Sequence, residues 1–324
     1  MLLRCVMWPF PTRIVDDDTV RWQLGVFEWF IRNLSGDVPL SDVPSLVPGK
    51  GHFVANQERG HKLALRIFEQ TRNYVRLGDE LTVTLVAQPP RRASIVSERI
   101  ALQHEKPEPL GTCRALGPGR FEISYDPELI KDSENLISTF AHELSHVLVP
   151  PGSNLPVAED EYEFLIDLCV AFLGFGVFLS NTCVERLTDG AWTWWRGGGY
   201  LPVNDRIMAT ALFVALKEND ADRSLVLEFL RPELRSTFKK GLRQLRRFET
   251  ELERLRTLAS EVVETAKAQP QPALPNLPWS MGTKLAFQAP YIQPLTLAIA
   301  APGANAVSTT EMGDAIVKAL EARG

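Results

Sequence analysis

Between Asp132 and Pro150 the sequence spells out a helix with both ends marked, and the content of that helix limits what the rest of the chain can be. Asp132 or Ser133 can cap its first turn, and Pro150-Pro151-Gly152 stops it. Leu136, Phe140, Leu144 and Val147 recur at three- and four-residue intervals, and Ile137, Ala141 and Leu148 widen the stripe. A helix this apolar needs neighbours to cover it. Inside it stands the run His142-Glu143-Leu144-Ser145-His146.

Four residues is slightly more than one helical turn, so the two imidazoles leave the same face, ~5–6 Å apart at Cβ. That spacing suits two ligands of one tetrahedral Zn²⁺, whose bonds to imidazole nitrogen measure about 2.0–2.1 Å. Glu143 can take a proton from a water at the metal as that water attacks a carbonyl, and then return it to the leaving group. This is the H-E-x-x-H pattern. The plainer alternative leaves these polar side chains on the exposed side of an amphipathic helix.

A third protein ligand is required, and no histidine follows His146 to supply it. Cys169 and Cys183 lie among apolar residues and read as core. There remains the acidic opening of the next helix, expected from near Pro156 to about Ser180, where Glu159, Glu163 and Asp167 recur every four residues. Glu163 is the preferred ligand. Asp167, one turn deeper in apolar sequence, then needs a partner, because an unpaired buried carboxylate is costly. The outer N–H of a ligating histidine would serve, and would also fix that ring's tautomer. Gly174 and Gly176, further along, would allow close approach of another helix, as part of the site or as plain packing.

This arrangement resembles the gluzincins, the thermolysin-like branch of zinc peptidases, in which the H-E-x-x-H helix is followed by a helix bearing Glu-x-x-x-Asp. The likeness covers about residues 120–180. It implies His142, His146 and Glu163 as ligands, Glu143 as general base and Asp167 as the partner of a ligating histidine. It also implies a zincin-like α+β fold, in which a small mixed or antiparallel sheet packs on the active-site helix and the ligand helix, with additional helices. Two residues depart from the pattern: Tyr162 stands where asparagine is usual, and Ile166 where a small polar residue is common. They leave open an aspzincin-like alternative in which Asp167 itself binds the metal. The wider chain is similar to a group of bacterial proteins of undefined function. They share a run like FEISYDPELI…LISTFAHELSHVL, an acidic helix ending like DLCVAFLGFGVFLSN, and a later Gly-Tyr-Leu.

Zinc peptidases also need a donor that stabilises an oxyanion. Tyr200 in RGGGYLP is the first candidate and Arg196 the next, although Tyr200 can equally be a loop aromatic packed on the core. The strand at 120–125 precedes the marked helix. As an edge strand it could pair with an extended peptide; otherwise it is plain scaffold. Trp192, Trp194 and Trp195 suit a specificity pocket or core packing, while His52, His61 and His104 read as surface or satisfied histidines.

Around this centre the periodicity predicts helices at 19–35, 58–75 and 205–217, strands at 81–87 and near 94–102, and a long charged helical stretch from about 221 to 267. The segments expected are an N-terminal helical and loop segment (1–56), a catalytic domain (57–185), a C-terminal helical region (186–267) and a Pro/Ala-rich linker and tail (268–324). A net charge of -5 argues against a nucleic-acid binder with a basic surface. The cluster Lys239, Lys240, Arg243, Arg246 and Arg247 reads as a solvated helix face. Cys5, Cys113, Cys169 and Cys183 are scattered, which predicts free thiols and a cytoplasmic protein. The N-terminus meets prolines too soon for a signal peptide, and the apolar run 168–184 falls short of the ~20 residues of a membrane span. The expectation is thus a cytoplasmic zinc peptidase acting on a peptide or protein substrate. The alternative is a metal-stabilised scaffold that binds a partner through 221–267.

Overall fold

The computed structural model describes residues 13–49, 51–54, 57–78, 80–89, 94–97, 100–102, 109–152, 154–182, 185–189, 192–196, 199–268 and 299–300. Cys5, Cys183, His104 and nearly all of the tail lie outside the described residues, as do the side chains of Trp192, Trp194, Trp195 and Arg196.

Asp16 accepts a hydrogen bond from the Thr19 amide and so opens α1 (Asp17–Leu34), whose Val20, Leu24, Phe27, Phe30 and Ile31 are buried. α2 (His61–Val75) ends at Arg76 in the left-handed conformation, and Ala64, Ile67, Phe68 and Val75 form its buried face. Strand β1 (Thr82–Ala87) follows, and then two short strands, β2 (Ser94–Ser97) and β3 (Ile100–Leu102), which pair antiparallel with each other. β4 (Gly111–Gly117) turns through Pro118-Gly119 into β5 (Arg120–Tyr125), whose alternate residues Phe121, Ile123 and Tyr125 point inward. The sheet order is β1-β5-β4, with β1 parallel and β4 antiparallel to β5.

The strand at 120–125 is therefore central, which leaves the scaffold reading of it and removes the edge reading. β1 takes its second side through a pairing between segments distant in the chain, which local alternation does not reveal. The edges are β1 and β4, and neither has a partner on its far side among the described residues.

α3 (Ser133–Leu148) is the marked helix, capped by Asp132 through the Asn135 amide at 3.1 Å. It packs on β4 and β5 on one side and on α2 on another. The next helical run is interrupted. After a 3₁₀ turn at Glu159–Glu161 comes α4 (Tyr162–Val170), then a widened turn at Ala171–Phe175, then α5 (Gly176–Asn181). The break sits at Gly174, whose φ of +92° and whose closeness to the Pro44 carbonyl both demand glycine. Its own carbonyl accepts from the Leu46 amide at 2.9 Å. Gly176 packs against Thr210. Both glycines thus receive neighbouring chain away from the cluster of His142, His146 and Glu163. The whole run Glu159–Asn181 is long and apolar enough to cross a membrane, yet 83% of its most apolar window is buried inside the protein.

Strands β6 (Glu185–Asp189) and β7 (Trp192–Arg196) form a hairpin. α6 (Val203–Lys217) is buried on nearly every side. The charged stretch beyond it is helical but not one helix. α7 (Asp220–Phe229) ends before Pro232, which begins α8 (Pro232–Leu245), and a 3₁₀ turn at Arg246–Phe248 leads into α9 (Glu249–Ala268). Proline at the first helical position forbids continuation from α7, a stop signal the charge pattern obscures. Of the basic cluster, Arg247 pairs with Asp17 at 2.8 Å. A last strand, β8 (Ile299–Ala300), pairs with β7.

The protein is α+β, mostly helical with a small three-stranded mixed sheet. Its described residues fall into two compact units. The first takes those of 13–89, 109–182 and 199–268, and the second those of 94–102, 185–196 and 299–300. Within the first unit α1 packs against α4, α6 and α9, so the helices expected in three separate segments share one core.

Candidate metal centre

α3 is not a surface helix. His142 and Glu143 are only 8% and 6% exposed, which removes the reading of the H-E-x-x-H side chains as a solvated face. Burying such groups is unfavourable unless they are paired, and the pairing is found on α4. The ligand atoms of His142, His146 and Glu163 lie within 4.8 Å of one another. His142 Nε2 is 3.2 Å from His146 Nε2 and 3.2 Å from Glu163 Oε2, and His146 Nε2 is 3.5 Å from the same carboxylate oxygen.

Each imidazole is held by its outer nitrogen. His142 Nδ1 donates to Asp167 Oδ1 at 3.0 Å, the contact the sequence suggested. His146 Nδ1 faces the Tyr162 hydroxyl at 3.1 Å, and that hydroxyl donates to the Val149 carbonyl at 2.6 Å. With both Nδ1 atoms turned to outer partners, both Nε2 atoms face the cluster.

Asp167 is fully buried and makes further bonds. Its Oδ2 accepts from the Tyr200 and Leu201 amides at 2.6 and 2.8 Å, and the buried Arg206 guanidinium lies 3.9 Å away. Arg206 is held in turn by the Leu201 carbonyl at 2.6 Å. Gly199, with φ +73°, brings the loop in. A Cβ there would meet both Arg206 and Asp167 at 2.9 Å. The Tyr200 ring stacks on His142, with centroids 5.3 Å apart and planes 18° apart. Tyr200 therefore touches the cluster through its ring and anchors Asp167 through its backbone.

The charges agree with this geometry. Burial works against ionisation of the Glu163 carboxyl, but its hydrogen bonds to His142 and His146 win and hold it well below the usual carboxylate range. Burial likewise disfavours a charged His142, yet the Asp167 and Glu163 carboxylates raise it well above its ordinary value. The Glu143 carboxyl is pushed up, chiefly by burial, while the two histidines pull it down. It lies against the edge strand: a Cβ on Gly111 of β4 would meet Glu143 Oε1 at 2.8 Å.

His142, Glu143, His146, Glu163 and Asp167, grouped by their spacing in the sequence, all lie in one place in the structure. Gly111, Gly199 and Arg206 join them unannounced, and Tyr162 was visible only as a departure from a pattern. A signal for Tyr162 existed, since it directly precedes Glu163. Arg206, far along the chain, had none. Glu159 stays in the exposed turn ahead of α4. His52 is satisfied by Val47 and His61 by the Tyr125 hydroxyl, both outside the cluster.

Comparison with protein-family models, with curated proteins and with solved structures gives no significant match. The resemblances noted in the sequence gain no support from those comparisons, so a functional reading rests on the residues and their geometry.

Proposed function

We propose that the protein is a zinc-dependent hydrolase of the zincin type, gluzincin-like in its ligand set, that cleaves peptides or proteins. The observation that carries the reading is the convergence of two imidazole nitrogens and one carboxylate from α3 and α4, with Glu143 buried beside them. Two neutral nitrogens and one anionic oxygen match the catalytic type of zinc site, which has three protein ligands and one open position. In this reading Asp167 serves the ligand His142 rather than the metal, because both its oxygens are already engaged.

Zinc bound there supplies Lewis acidity, polarising a carbonyl and acidifying water. The chain does the rest. Glu143, whose carboxyl burial pushes above its ordinary value, takes the proton of the attacking water and passes it to the leaving amine. The open side of β4 offers backbone groups to an extended peptide, and Gly111 leaves that edge without a side chain where it passes Glu143. Tyr200 keeps its place as the candidate oxyanion donor, now with its ring against His142.

The test is a defined peptide mixture incubated with zinc-loaded protein and read by mass spectrometry. The reading expects cleavage that a chelator abolishes and added zinc restores. A protein that holds zinc, cleaves nothing and loses fold on chelation would instead be a metal-stabilised scaffold.

A further inference from the structure

We infer that Tyr162 is a positioning residue of the metal centre, setting the tautomer of His146 and the spacing between the two ligand helices. The inference rests on the reading of His142, His146 and Glu163 as zinc ligands, and concerns a residue that the gluzincin pattern does not provide.

A phenol carries one hydrogen. In Tyr162 that hydrogen goes to the Val149 carbonyl, 2.6 Å away, because a carbonyl can only accept. Toward His146 Nδ1, at 3.1 Å, the hydroxyl oxygen must then accept, and Nδ1 must carry the proton. The neutral His146 ring then carries its lone pair on Nε2, the atom that faces His142 Nε2 and Glu163 Oε2 and that a metal would use. The Tyr162 ring itself leans on the imidazole, with centroids 5.4 Å apart.

The same hydroxyl also sets a distance. Val149 is the residue at which α3 ends, its amide bonded to Ser145. Carbonyls at a helix C-terminus lack partners within the helix, so the bond from Tyr162 satisfies one of them. Tyr162 is the first residue of α4 and Glu163 the second. One hydroxyl therefore ties the last turn of the helix bearing His146 to the first turn of the helix bearing Glu163. The His142–Asp167 bond joins the same two helices further in, and the Tyr162 bond fixes them at the end where residues 149–161 connect them. The two ligand histidines are backed differently, His142 by a buried carboxylate and His146 by a neutral phenol.

Tyr162→Phe keeps the ring and removes only the hydroxyl. Zinc affinity, measured by competition with a chromogenic chelator, is expected to fall about 10–100-fold, the usual cost of losing such an outer partner. A role in packing alone would lower the melting temperature of the zinc-free protein and leave the zinc dissociation constant where it was. A measurement on the unaltered chain guards against a variant that folds badly. In the zinc-loaded protein the His146 Nδ1 proton should give a downfield resonance slow to exchange with solvent. Unchanged zinc affinity in Tyr162→Phe, or zinc bound through Nδ1 of His146, overturns this inference alone. A wild-type chain that takes up no zinc removes the hydrolase reading and this inference with it.

Discussion

Asp167→Ala should destabilise the metal-free protein by about 3–5 kcal/mol, the range for removing one member of a buried, charged, hydrogen-bonded group. The carboxylate is fully buried and is the acceptor for three donors: His142 Nδ1 and the Tyr200 and Leu201 amides. Alanine leaves all three without it and strands the Arg206 guanidinium, which is buried against the same carboxylate. The contribution is complete at neutral pH. Burial opposes ionisation of Asp167, but the His142 bond and the charges around it win and hold its carboxyl below the ordinary value. A depressed carboxyl stabilises the fold above its unfolded value, so the contribution is lost only as pH falls through and below the usual carboxylate range. Urea unfolding of metal-free samples isolates the effect, since bound zinc would add its own stabilisation. An unchanged midpoint would mean that the loop of Gly199, Tyr200 and Leu201 is not held by this carboxylate.

Glu143→Gln should do the opposite, leaving the fold and the metal intact while removing the chemistry. Glutamine has the same shape and no charge. Burial raises the Glu143 carboxyl, so keeping it ionised in the folded protein costs stability, and the neutral amide should melt at the same temperature or higher. Glu143 lies outside the cluster of ligand atoms, and zinc content should be unchanged. Peptide cleavage should fall by a factor on the order of 10²–10⁴, the usual contribution of a positioned general base. A Glu143→Gln variant that cleaves as fast as the wild type would remove Glu143 from the reaction.

The site was legible in the sequence to the extent that it is local. His142, Glu143 and His146 share one helix turn, and Glu163 and Asp167 lie one turn apart on the next helix, so helical periodicity groups each set, while elimination and the gluzincin likeness joined the two. Asp132 and Pro150 marked the ends of α3 for the same reason. What was not legible depends on distant pairing. β5 became a central strand because β1 joined it in parallel, and the site borders Gly111 of β4 because β4 was left at the edge. Arg206, on α6, meets Asp167 beside Gly199, where any side chain would strike both of them. The helix break at Gly174 answers to a carbonyl from Pro44, far earlier in the chain. Tyr162 stood in plain view, but its place in a pattern says what it replaces and not what a hydroxyl there can reach.

Metal analysis of the purified wild type beside Glu163→Ala tests the central claim most directly. The account predicts about one zinc per wild-type chain and little or none in Glu163→Ala, because the site then keeps only two protein ligands. A wild-type chain without zinc would contradict it, and zinc kept in Glu163→Ala but lost from Asp167→Ala would move the third ligand to Asp167.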